Sequence, residues 1–251
     1  MSNPSQANPP VGSSAGTRPR VLLGHGGPVI AGAAQRILDA HGFEVEIGAD
    51  SRGIEAALSS SSWDALVVDV ALPGAPGFEL TGVAREAGVK VVILVASVFR
   101  RTSYKRQPRR LYGADDYVEI HHLGDHLPNR LRAHLGLRDA EVPVETLREL
   151  LATLNERGDD HLLEQTPRSL AMLIVADLLL YNGDRITEAD SIDEALAAVA
   201  TDLDGARDLF ERVRDQVRGD VDVRLGAADD DLIGEAFREL VAGLDRTGDV
   251  S

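Results

Sequence analysis

The chain has 251 residues, enough for one large domain or two modest ones, and a hydrophobic fraction of 43% lets it bury a core without covalent staples. It contains no cysteine, which excludes disulfides, thiolate metal sites and cysteine nucleophiles and permits a reducing compartment. The formal net charge of -15 is concentrated at one end: residues 1–140 carry 15 basic against 14 acidic residues, whereas 141–251 carry 11 against 27, so the C-terminal part repels phosphate backbones and anionic lipid and does not read as a DNA-binding output domain.

Residues 1–18 are rich in Ser, Asn, Pro and Gly without apolar periodicity and read as a disordered leader with no signal-peptide core. Apolar runs of strand length then alternate with segments of helical period. Arg20 to Leu23 reads as the first strand, Pro28 to His41 as a helix with proline in its opening turn, and Phe43 to Ile47 as the second strand. Ile54 to Leu58 lies in a second helix, Trp63 to Asp69 is a third strand, Phe78 to Ala87 is helical and Val89 to Val95 is a fourth strand. Ala114 to Glu119 makes a fifth strand and Leu123 to Leu135 a closing helix. Strands that are apolar throughout and separated by helices predict an α/β domain over residues 19–138, with a doubly wound, five-stranded parallel sheet covered on both faces.

From residue 139 to 251 the strand signal is absent. Val142 to Arg157, Arg168 to Tyr181, Ser191 to Arg218 and Asp230 to Leu244 space their apolar residues by three and four, with links at Gly158, Gly183 and Gly219 and a break expected at Gly205. This is an acidic, mainly α-helical C-terminal domain, a bundle or an extension docked on the first domain. Its run from Leu170 to Leu180 is too short to span a bilayer and is interrupted by Asp177, which predicts a buried helix with an ion pair from Asp177 to Arg207 or Arg212.

In such a sheet, chemistry gathers at the carboxyl ends of the strands where the winding reverses. The residues expected there include His25 and Gly26, Asp69, and Val95 to Ser97. The stretch from Leu66 through Asp69 to Pro73, with Gly77, and the stretch Gly113-Ala114-Asp115-Asp116-Tyr117 resemble the receiver domain of bacterial response regulators, over about half the chain. The resemblance implies a flavodoxin-like sheet and a phosphoacceptor position at Asp69. It also implies a Mg²⁺ site fed by an acidic pair after the first strand, and that pair falls on His25 and Gly26. The hydroxyl residue falls on Val95, the lysine on Ile120 and the following proline on His121, while Tyr117 stands at the position of the switch aromatic. An imidazole and a bare backbone cannot replace two anionic oxygens around a hard cation, so the expectation is a pseudo-receiver in which Asp69 is vestigial or caps the next turn. A degraded phosphorylation route and another ligand are the alternatives, the last because His25, His121 and His122 with Asp69 suit a transition ion better than Mg²⁺. Gly24-His25-Gly26-Gly27 lacks the lysine and hydroxyl of a phosphate loop and reads as a tight turn.

Between the fourth and fifth strands, Arg100, Arg101, Lys105, Arg106, Arg109 and Arg110 form a basic loop that Pro108 keeps from being a regular helix. The sequence therefore predicts a phosphorylation-independent, cytoplasmic signalling or adaptor protein that is not an enzyme and needs no cofactor or metal. Its partner is a protein met through the basic loop and the fifth-strand face; a homodimer is compatible, and nucleic acid and membrane are disfavoured. The alternative is a ligand-responsive regulator that binds phosphate, a transition metal or a nucleotide near Asp69 and the basic loop.

Overall fold

The structure, a computed structural model of the chain, describes residues 17–96, 107–108, 110–138, 144–157, 165–220 and 231–244. Five parallel strands, β1 (Arg20–Gly24), β2 (Glu44–Gly48), β3 (Ala65–Asp69), β4 (Val91–Ala96) and β5 (Asp116–Glu119), lie in the order β2-β1-β3-β4-β5. This is the flavodoxin-like doubly wound order that the alternating pattern predicts, with its switch point at the β1/β3 ends. β3 and β4 are buried at every residue, as strands covered on both faces must be. The predicted third strand starts two residues later than Trp63. That indole packs under the Arg20 guanidinium, 4.1 Å from the ring centre, and donates to Ala57 O.

Alternate residues along the strands feed two apolar clusters. On one face Val21, Leu23, Val67, Ile93, Val95 and Val118 pack against α1 (Pro28–Ala40) and α4 (Leu127–His134), and Leu154 of α5 (Val144–Arg157) joins them. On the other face Leu22, Leu66, Val68, Val92, Leu94 and Ala96 pack against α2 (Ser51–Ser60), whose first turn Asp50 caps by accepting from Gly53 N, and α3 (Leu80–Glu86). That second cluster continues without a break into α6 (Pro167–Thr187), α7 (Ile192–Ala198), α8 (Ala200–Asp220) and α9 (Leu232–Leu244). The two parts of the chain therefore share both cores.

α6 begins at Thr166, which accepts from Ser169 N, and is buried from Leu170 to Gly183 but for Met172, as its nearly all-apolar sequence requires. It runs through the predicted link at Gly183 to Thr187, bending at Asn182. The predicted helix Ser191 to Arg218 is two helices, broken at Val199 rather than at Gly205, with Ser191 capping the first by accepting from Glu194 N. The predicted pairing of Asp177 with Arg207 or Arg212 is not what forms. Arg207 is held by Asp204 and Asp231, Arg212 is exposed, and the Arg185 guanidinium meets a different buried carboxylate, that of Asp202, at 2.6 Å. Among the described residues no helix lies between β4 and β5. Residues 1–16 of the expected leader 1–18, and Arg100, Arg101, Lys105, Arg106 and Arg109 of the basic loop, lie outside the described residues.

Candidate functional site

The β1 and β3 ends put His25 beside Asp69, with Nε2 3.3 Å from Oδ2, and both residues are only 2% exposed. Each is also tied to its own loop. His25 Nδ1 accepts the Gly27 N–H at 2.9 Å, which makes Nε2 the protonated nitrogen of the neutral ring facing Asp69. Burial pushes the imidazole down to about 4, so the ring is neutral around neutral pH. Asp69 Oδ1 accepts from Ala71 N at 3.0 Å while Leu72 N donates to the Asp69 carbonyl, so the carboxylate caps the turn that follows its strand. Gly77 returns the chain against that turn: a Cβ there would lie 2.2 Å from the Asp69 carbonyl oxygen.

A cavity of about 250 Å³ opens above this pair. His25, Gly26, Gly27, Asp69 and residues 71–76 form its floor and one wall. Gln165, Arg168, Ser169, Met172, Leu173 and Ala176 of the α6 start, with Leu240 of α9, form the other. Asp69 is the one carboxylate among these lining residues and Arg168 is a cation, so the donor set does not fit Mg²⁺, which takes hard oxygen ligands in near-octahedral array. Nor is there room to restore the missing acid at position 26. A Cβ on Gly26 would lie 2.7 Å and 2.8 Å from two ring carbons of Pro73.

Of the residues that the sequence placed in the pocket, His25, Gly26 and Asp69 come together there. Val95 and Ile120 instead lie fully buried in the α1/α4 core. Val95 sits beside Asp69 in register, yet the strand turns its side chain into apolar packing. His121 lies outside the cavity lining, 3.2 Å from Glu119 Oε2. His122 is likewise absent from the lining, so the expected cluster of His25, His121 and His122 around Asp69 is not the arrangement seen.

Tyr117, the aromatic at the switch position, meets Tyr181 of α6 edge to face at 6.3 Å, and the Tyr181 hydroxyl reaches Glu119 Oε1 at 3.3 Å. Burial, and then the charge of Asp177, push the Tyr181 hydroxyl well above the ordinary phenol range. Tyr112, held at a φ of 50°, stacks on Phe78 at 4.9 Å, takes the Thr81 hydroxyl on its carbonyl and donates its own hydroxyl to Leu179 O. Arg110, exposed at the end of the basic loop, donates to Thr187. Through Tyr181, α6 thus reaches Tyr117 and Glu119 of β5, on the fifth-strand face expected to meet a partner. Sequence reasoning missed the cavity wall made by α6 and the tyrosine contacts; the signal available for them was the nearly continuous apolar run of that helix, which requires a large apolar surface to cover it.

No family model and no curated protein matches the sequence. Solved structures do match. A receiver domain of a Francisella response regulator is 19% identical with a TM-score of 0.40 over 47% of this chain and 97% of its own. A receiver domain protein of Methanospirillum hungatei is 22% identical with a TM-score of 0.38, covering 47% and 97%. A chemotaxis response regulator of Vibrio cholerae is 22% identical with a TM-score of 0.38, covering 46% and 99%. These neighbours are receiver domains and span about half the chain.

Proposed function

We propose that this chain is a pseudo-receiver adaptor in two-component-type signalling, which works through protein contacts and without phosphorylation of Asp69. The observation that supports this most is the donor set at the β1/β3 switch point: one buried carboxylate already capping its own turn, a neutral imidazole, and a glycine where a Cβ would press on the Pro73 ring. Phosphoryl transfer to a carboxylate needs a divalent ion to neutralise the transferred oxygens, and these groups are a poor cage for one. The reading assigns no catalytic role, since the crevice residues do not compose a nucleophile with its base.

With Tyr117 and Glu119 of β5 engaged by Tyr181 of α6, the adaptor reading puts partner contact on the basic loop 100–110 and its surroundings. The test is a titration of the full chain with Mg²⁺ and beryllofluoride or acetyl phosphate, followed by amide NMR shifts and melting temperature, with Asp69→Asn as control. The expected result is no saturable, Asp69-dependent response. A saturating shift around Asp69 that the control abolishes overturns the reading.

The cavity favours a second reading, a regulator answering a small ligand beside Asp69 and Arg168. Its volume of about 250 Å³ falls below the roughly 300–1,000 Å³ of ordinary ligand pockets, which favours an ion or a small metabolite over a nucleotide. Titrations of the same sample with Zn²⁺, phosphate and nucleotides distinguish these ligands.

A further inference from the structure

Four of the seven histidines lie within 14 residues, from His121 to His134: three on the turn that leads out of β5 and the fourth at the end of α4. Three side chains of this turn converge. His122 Nδ1 is 3.1 Å from Asp125 Oδ1, and His126 Nε2 is 3.8 Å from Asp125 Oδ2. One ligand atom from each of the three residues can be chosen so that all lie within 4.8 Å of one another. Ligands about 2.0–2.1 Å from a tetrahedral zinc stand about 3.3 Å apart, so the arrangement is within small side-chain movements of a three-ligand site.

The backbone holds the residues in this relation. A short 3-10 turn at Ile120–His122 ends at the first histidine, and His126 N donates to the His122 carbonyl at 3.0 Å, one closed turn that puts both rings on the same side. The rings stack 4.1 Å apart and 10° from parallel. Stacked rings point their lone pairs along parallel planes, so one must rotate about its Cβ–Cγ bond to share an ion. The three side chains are between 37% and 51% exposed, which leaves room for that rotation and for an ion to enter.

We infer that His122, Asp125 and His126 form a binding site for a zinc-class divalent transition ion, separate from the cavity over Asp69 and independent of the adaptor reading. Two imidazoles and one carboxylate suit Zn²⁺ or a neighbouring transition ion and discriminate against Mg²⁺ and Ca²⁺, which take oxygen ligands. Three protein ligands leave a fourth tetrahedral position for water or for a side chain of another protein. His121, engaged with Glu119, is not required.

The test is isothermal titration of the tag-free, full-length protein with ZnCl₂, and with Co²⁺ followed by visible absorption. The expected result is one saturating equivalent, tetrahedral Co²⁺ bands, and no displacement by a large excess of Mg²⁺. His122→Ala, His126→Ala and the near-isosteric Asp125→Asn should each weaken binding roughly tenfold or more, with far-UV circular dichroism unchanged, whereas His134→Ala should leave affinity as it is. Absence of saturable Zn²⁺ binding overturns the inference. So does binding that survives the His122 and His126 replacements, or that Mg²⁺ displaces.

Discussion

Acidification should remove stability through His25 over a defined range. Burial holds the folded ring at about 4 against an ordinary 6.5, and an added proton would have to go to Nδ1, which already accepts the Gly27 N–H. As the pH falls below about 6.5 the unfolded chain takes up the proton and the folded chain does not, so stability is complete above that value. It falls progressively toward about 4 and levels off below, where both states carry the charge. At about 1.4 kcal/mol per unit, the whole loss is about 3 kcal/mol, and near pH 5 the slope is about 1 kcal/mol per pH unit. That is a large part of the roughly 5–15 kcal/mol by which such domains are stable. Urea unfolding of the wild type and of His25→Asn, at steps from about pH 7 to about pH 4, measures it. The asparagine oxygen offers an acceptor for Gly27 N–H and does not titrate, and carboxylates that titrate in the same range are common to both proteins. The wild-type curve should therefore fall more steeply than that of the variant between these limits. Parallel curves would refute a neutral buried imidazole.

Further consequences can be checked by the same unfolding assay. Gly77→Ala drives a Cβ to within 2.2 Å of the Asp69 carbonyl and 2.9 Å of Val68 Cγ2, and should cost roughly 3 kcal/mol because backbone on one side cannot yield. Tyr112→Phe removes the hydroxyl that binds Leu179 O and should cost about 1 kcal/mol, with faster amide exchange in α6 as its local signature. Arg185→Met takes the cation from Asp202, a carboxylate 1% exposed, and should cost about 3 kcal/mol. Gly26→Asp should destabilise by roughly 1–3 kcal/mol against Pro73 and still show no Mg²⁺-induced rise in melting temperature.

The sheet was legible because its signal is local: apolar strand runs and the proline at the α1 start each act within a few residues of the element they define. His25, Gly26 and Asp69 were legible for the same reason, since a strand end points to the switch point whatever the rest of the chain does. Val95 and Ile120 were misplaced in the pocket because a position at or just beyond a strand end gives a residue's address without the side of the sheet its side chain occupies. Arg207 was misassigned to Asp177 because partners of buried carboxylates come from other helices, whose relative rotation is a tertiary property. The break at Val199 illustrates a further limit. Gly205 costs about 1 kcal/mol in helix propensity, yet packing of the buried Ala206, Leu209 and Val213 carries α8 straight through it.

The position of α6 also decides what kind of switch this molecule can be. Its Ile174, Val175, Leu178, Leu179 and Leu180 are fully buried, and at roughly 2 kcal/mol for each such side chain, withdrawing the helix costs about 10 kcal/mol, comparable to the stability of the whole fold. A signal that had to pull α6 out of this core would therefore unfold the protein before it switched it. The first turn is different: Arg168 and Ser169, which line the cavity, are exposed, and Arg168 is held at 2.5 Å by Glu239 of α9. Exposed ion pairs of this kind are worth at most about 1 kcal/mol, so opening is confined to that rim. A rigid platform with an adjustable edge is what the packing permits, and it suits a protein that holds partners through fixed surfaces better than one that relays a phosphoryl signal by rearranging its fifth strand.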